Sequence, residues 1–269
     1  YSLHLQSSGP IQGVDKARAL GFDGAGGKIY DIDTGLDATH PDFSDRRLKS
    51  VDFVNEGPED WQGHGTHKAG ISYANGVVYK GMAPKAEGRM GKVFAQSGFG
   101  ASDGDIMAAA VDAMQWDADV ISLSLGSPGT VDAKLAKFLS DLTKTKTKNG
   151  HFPIVTASAG NSGPFNETRS QPSSGEFVTT VTAAAKSEDD GVPEMSFYSS
   201  VGPVSDKRWS RARWRRPYGL TALGGDVTTP PGVLDVYQHG IESVKSKDMP
   251  AGPSDAPDGK HTRMSGTSM

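Results

Sequence analysis

Short apolar runs rich in Val and Ile alternate along the chain with longer stretches whose apolar residues recur at helical spacing, and this alternation constrains the fold most. A strand, a crossover helix and a second strand pack most simply as a parallel sheet with helices on its faces. The candidate strands are Lys28 to Asp33, Val120 to Leu125, Phe152 to Ala157 and Phe177 to Ala183. Between the first two, Ser102, Asp103 and Asp105 precede Ile106, Ala110, Ala113 and Met114, so the spacing predicts a helix with Ser102 and Asp105 as a capping box. A second helix is predicted over Val131 to Leu142, where Leu135, Phe138, Leu139 and Leu142 form one apolar stripe. From about Gly202 the pattern dissolves into Gly, Pro, Asp and Arg, with weak strands only near Val227 and Val233. A length of 269 residues suits one large domain spanning 1–269.

The chemistry open to such a domain is narrowed by what it lacks. There is no cysteine, so disulfides, thiolate nucleophiles and Cys-ligated zinc are excluded, and any nucleophile is a hydroxyl or a carboxylate. Its 28 basic and 32 acidic residues leave a net charge of -4, too balanced to imply a nucleic-acid or membrane partner for the chain as a whole. No apolar run approaches the roughly 20 residues needed to span a bilayer. The first residue is Tyr1, which reads as the start of a processed or trimmed product.

Three segments place a reactive side chain where a strand or helix ends, the position that open α/β sheets use for ligands. In "IYDIDTGLD", Asp33 ends a strand and a tight turn follows; a carboxylate held there can orient an imidazole and stabilise its protonated form. In "QGHGTHKAG", His64 stands between glycines at a helix start, where the backbone can approach another element closely. In "MSGTSM", Ser268 follows a small turn-forming string that lifts its hydroxyl clear, and a hydroxyl needs a neighbouring base to become a nucleophile. A fourth segment, "TASAGNSG", ends an apolar strand with Asn161 at its tip, where an amide donor can bind a developing oxyanion. Taken singly, each has an ordinary structural use as a turn or loop residue. It is their joint occurrence that points to catalysis.

The run of motifs "GGKIYDIDTGLDATHPDF", "GHGTHKAG", "GMAPKAE", "ADVISLSLGS", "TASAGNSG", "FYSSVGP" and "SGTSM" resembles, in the same order and over nearly the whole chain, the subtilisin-like serine proteases, or subtilases. The resemblance implies a three-layer αβα fold with a mostly parallel central sheet, and a secreted serine endopeptidase acting on proteins and peptides. It implies Asp33 as orienting acid, His64 as general base and then acid, Ser268 as nucleophile, and Asn161 with the Ser268 N–H as oxyanion donors. Ser124, Leu125 and Gly126 match the strand that pairs with an extended substrate. With Ala157, Ser158, Ala159 and Gly160 they are expected to line the pocket for the residue before the cut bond. No charge sits in these segments, which predicts an apolar or aromatic preference there.

Further partners implied by the resemblance are a propeptide or protein inhibitor, and structural calcium with Asp42 and Asn75 as the best-placed oxygen ligands; ordinary surface-turn roles account for those two residues equally well. His67 lacks the Glu of a His-Glu-x-x-His zinc site and reads as a packed residue behind His64. A non-catalytic relative that binds peptides in the same groove is the main alternative.

Several positions depart from the family pattern. Asp31 stands in a buried strand where an apolar residue is expected, and an unpaired carboxylate there is costly. Lys68 replaces a small apolar residue, and Gly88, Arg89 and Gly91 interrupt an expected strand. The family continues from its nucleophile into a helix, whereas Met269 directly follows Ser268, so a truncated peptidase domain is expected. The stretch "DKRWSRARWRRPY", with Lys207, Arg208, Arg211, Arg213, Arg215 and Arg216 around Trp209 and Trp214, has no counterpart in the pattern. It reads as a solvated insertion loop sooner than as a nucleic-acid or anionic surface. Asn166 in "NET" is a formal glycosylation sequon.

Overall fold

The computed structural model describes residues 3–43, 48–96, 100–127, 133–165, 168–186, 192–202, 219–225 and 240–269, with side chains from Ser8 onward. The basic stretch 207–216, the sequon at Asn166 and the strands predicted near Val227 and Val233 lie outside the described residues. In chain order the first elements are β1 (Leu3–His4), α1 (Leu5–Ile11), α2 (Val14–Ala19), β2 (Lys28–Asp33) and β3 (Lys49–Asp52). Then follow α3 (His64–Tyr73), β4 (Glu87–Lys92), α4 (Asp103–Trp116), β5 (Val120–Leu123) and α5 (Lys134–Leu142). Strands β6 (Ile154–Ser158), β7 (Thr179–Lys186), β8 (Pro193–Met195), β9 (Gly219–Leu223), β10 (Ile241–Val244) and β11 (His261–Met264) complete the described elements.

The main sheet has eight strands in the order β3-β4-β2-β5-β6-β7-β8, with β9 also paired to β7. All its pairings are parallel except β7 with β8. Strand β2 lies between β4 and β5, with Asp31 in register with Met90 on one side and Ser122 on the other. The chain leaves β2 toward β3 and β4 and later returns on its other flank through α4 to β5, so the strand order reverses at β2. At such a reversal the carboxyl ends of the strands open onto a crevice. A second sheet, β1-β10-β11, stands apart from the first.

Side chains alternate across a strand, and β2 uses both faces. Tyr30 and Ile32 point into a core with Ile106, Ala110 and Ala113 of α4 and Leu135 and Leu139 of α5. The opposite face meets α3, where Ala69 and Tyr73 pack with Met90 and with Val244 of the second sheet. Helices on both faces of a mostly parallel sheet make the three layers that the sequence led us to expect. Helix α4 begins as predicted: the Ser102 hydroxyl accepts from Asp105 N at 3.0 Å and donates to the Asp105 carboxylate at 2.7 Å. Among the described residues, no helix is long and apolar enough to cross a membrane.

The glycines of β4 do not weaken it. A Cβ on Gly88 would stand 2.6 Å from the Tyr73 ring, and one on Gly91 would stand 2.9 Å from the Tyr30 ring. The two aromatic rings fill the space that side chains on β4 would otherwise occupy. Arg89 points to α4, where it meets the Asp112 carboxylate at 3.3 Å and the face of Trp116 at 5.1 Å.

Candidate active site

Asp33 is the last residue of β2 and His64 the first of α3, and the local sequence explains their meeting. Gly63 caps the helix at φ 92°, a left-handed conformation suited to glycine. A Cβ on Gly65 would fall 2.3 Å from the Gly35 carbonyl, so only glycine lets the helix start press this closely on the turn after β2. Buried Asp60 stitches the two elements together, accepting from Thr34 Oγ1, Gly63 N and Thr66 N, each at 2.8 Å. The sequence reading passed over Asp60, although an Asp just ahead of a helix start is an N-terminal capping signal.

Within this frame His64 Nδ1 lies 2.7 Å from Asp33 Oδ1, which also accepts from Thr34 N at 2.8 Å. Burial alone would raise the Asp33 carboxyl, but the charge of His64 and its hydrogen bond outweigh burial and hold Asp33 below the usual carboxylate range. For His64, burial works against the charged form, and the neighbouring Asp33 carboxylate outweighs it and raises the imidazole above its ordinary value.

Directly behind this pair, two residues that looked costly in the sequence account for each other. Asp31 is fully buried and Lys68 nearly so, and the Lys68 ammonium sits 3.1 Å from the Asp31 carboxylate. Lys68 also donates to the Ser122 carbonyl at 2.9 Å. Burial pushes the Asp31 carboxyl up, with Lys68 opposing the rise. His67 is likewise buried, bonded through Nε2 to the Ile241 carbonyl at 2.9 Å, which links α3 to the second sheet.

Ser268 approaches from the far end of the chain. Its hydroxyl donates to the Ser124 carbonyl at 3.1 Å, and the Ser124 hydroxyl donates to the Ser268 carbonyl at 2.9 Å. No hydrogen bond joins Ser268 to His64. Two clefts meet at Ser124. The larger, about 610 Å³, is walled by His64, Thr34, Trp61 and Phe94; the smaller, about 450 Å³, by Ser268, Asn161, Leu125 and Gly126. Asn161 Oδ1 accepts from both the N–H and the hydroxyl of Thr267 at 3.0 Å, which fixes the side chain and leaves its NH₂ end uncommitted.

The structure distributes the expected pocket residues unevenly. Ser124, Leu125, Gly126, Ser158 and Gly160 line the smaller cleft. Ala157 and Ala159 do not; both are buried behind its wall. The cleft also includes Ser127, Thr168, Arg169 and Ser170, which the sequence reading did not single out.

Asp42 and Asn75 come together, with Asn75 N donating to the Asp42 carbonyl at 2.9 Å, but the Asp42 carboxylate bonds His261 Nε2 at 3.0 Å. Among the described residues, no group of three or more His, Asp or Glu side chains could hold a metal. Calcium takes six or more oxygens, more than these two side chains supply by themselves.

The sequence profile described as the subtilase family matches residues 24–269. Thermitase of Thermoactinomyces vulgaris is 32% identical over 218 residues, covering 77% of this chain and 72% of its own length. The thermophilic serine proteinase of Bacillus sp. (strain AK1) is 35% identical over 187 residues, 68% of this chain and 43% of that protein. The minor extracellular protease Vpr of Bacillus subtilis (strain 168) is 31% identical over 213 residues, but this chain spans only 26% of its length. Among solved structures, the S41 psychrophilic protease superposes with a TM-score of 0.65 at 26% identity, covering 92% of this chain and 74% of that one. Sphericase, at 24% identity and a TM-score of 0.66, shares the fold over 92% of this chain and 74% of its own. With an acid and an imidazole paired at the strand reversal, a serine and an asparagine on the adjoining cleft, and this match across nearly its whole length, the chain belongs to the subtilase family.

Proposed function

We propose that the chain is a serine endopeptidase that cuts peptide bonds through Asp33, His64 and Ser268, with Asn161 as oxyanion donor. The observation that carries the reading is the 2.7 Å contact between Asp33 and His64, with His64 on the larger cleft and Ser268 and Asn161 on the smaller one that meets it at Ser124. In the resting arrangement the Ser268 hydroxyl is parked on the Ser124 carbonyl. The reading requires rotation about its side-chain bond to exchange that acceptor for His64 Nε2. His64 then takes the proton as Oγ attacks the substrate carbonyl, while Asp33 holds the imidazole in orientation and balances the charge it gains. Asn161 Nδ2 and the Ser268 N–H receive the negative charge on the carbonyl oxygen. Collapse of that intermediate breaks the C–N bond, with His64 returning the proton to the departing amine. Water repeats the sequence to release the acyl group and restore Ser268.

Protein and peptide substrates, secretion, and a propeptide or protein inhibitor as partner belong to this same reading. It is supported by the family and by the similarity to Vpr, an extracellular protease. A fluorophosphonate probe is expected to label wild-type protein and not Ser268→Ala, with peptide hydrolysis lost in parallel. The resting bond from Ser268 to Ser124, in place of His64, favours one second reading: a peptide-binding relative without catalysis. Peptide binding with neither labelling nor hydrolysis in the wild type would establish that reading.

A further inference from the structure

The smaller cleft contains one charged side chain among its described lining residues, and that side chain is Arg169. It is only 8% exposed. Its Nη2 donates to the Ser173 carbonyl and to Thr180 Oγ1, which hold the guanidinium in place. Its Nε is buried without a hydrogen-bond partner. No carboxylate among the described residues pairs with it. Burial alone pulls its pKa down to about 10, which leaves it protonated near neutral pH. A buried cation without a counter-charge is costly, and the cost falls when an anion enters beside it.

The rest of the wall suits such an occupant. Ser127 brings a hydroxyl that accepts from Gln171 Nε2 at 2.9 Å and keeps its proton for an occupant, while the Ser158, Thr168 and Ser170 hydroxyls on the same wall donate to main-chain carbonyls. Its waist is formed by Ser170 facing Gly126 and Gly160: a Cβ on either glycine would stand 2.6 Å or 3.0 Å from the Ser170 hydroxyl. A slender side chain ending in a carboxylate passes this polar waist more readily than a large ring.

We propose that Arg169 is a specificity-determining residue that makes this cleft favour an acidic side chain, so that glutamate is preferred immediately before the cut bond. This rests on the endopeptidase reading, and it replaces the apolar or aromatic preference expected from the uncharged segments 124–126 and 157–160. In matched fluorogenic peptides differing only at that residue, kcat/KM for Glu should exceed that for its neutral isostere Gln by about tenfold or more, the range of a charge-assisted hydrogen bond. Arg169→Met should bring the ratio to one or below, and Arg169→Lys should leave it between the two.

Fluorescent peptides carrying Glu, Gln or Phe at the same position, titrated onto Ser268→Ala protein, give a readout independent of catalysis. Tighter binding of the Glu peptide without hydrolysis by the wild type would retain the role of Arg169 and remove the protease reading. Normal hydrolysis with a Glu-to-Gln ratio of one or less in the wild type would overturn the proposal and leave Arg169 a structural cross-link, whatever the stability of the variants.

Discussion

The His64 imidazole carries opposed demands: burial favours its neutral form, and the Asp33 carboxylate at 2.7 Å favours the charged one and wins. Because the neutral form is the base, the rate should rise with pH through one ionisation lying above 6.5, visible in a kcat/KM profile. The charge of Lys68 opposes protonation of His64, so Lys68→Met should move that limb further to the alkaline side. The stability contributed by the charged pair is in full effect between the ordinary values of 3.8 and 6.5. It is lost as pH falls through the lowered Asp33 value and as pH rises through the raised His64 value. Asn161→Ala should cut kcat by about a hundred- to a thousand-fold with little change in KM, the loss measured when the matching donor is removed from subtilisin, a relative in this family.

Helix α3 and strand β2 share a second bond one turn deeper, between Lys68 and Asp31. Removing one partner strands a buried charge, so Lys68→Met alone should cost about 3–5 kcal/mol in urea unfolding, while the paired change with Asp31→Val should recover most of that loss. Neither residue is legible alone. In the sequence each is a charge in an apolar slot, and only the packing of α3 on β2 shows that they meet. The same limit hid β4, whose glycines read as weakness until the rings of Tyr30 and Tyr73 were seen to need the room. By contrast β2, the cap of α4 and the helix start at His64 were legible, because strand pattern, Ser102 and the paired glycines act locally. Strands β10 and β11 were missed, since they are short and gain their partners from each other and from α3. The cleft wall at Thr168 to Ser170 has no periodic pattern at all, so Arg169 entered the site unannounced.

Across the whole molecule, the second sheet is moored to the turn between β2 and β3 by His261, whose ring lies between the carboxylates of Asp42 at 3.0 Å and Asp258 at 2.6 Å. Burial lowers this imidazole and the two carboxylates more than offset it, so its pKa stands above the ordinary value. The resulting stabilisation is in full effect below pH 6.5 and is lost as pH rises through the elevated value. His261→Gln should therefore flatten the alkaline decline of unfolding free energy by on the order of 1 kcal/mol, measured in urea at several pH values. Ser124 and Ser268, 144 positions apart, exchange two hydrogen bonds where the clefts join. On the proposed endopeptidase reading, a catalytic centre tied together over such a span forms late in folding, since contacts of long sequence separation are slow to close. A half-made copy is thus harmless to its neighbours, and heating should extinguish hydrolysis in step with the cooperative loss of the fold.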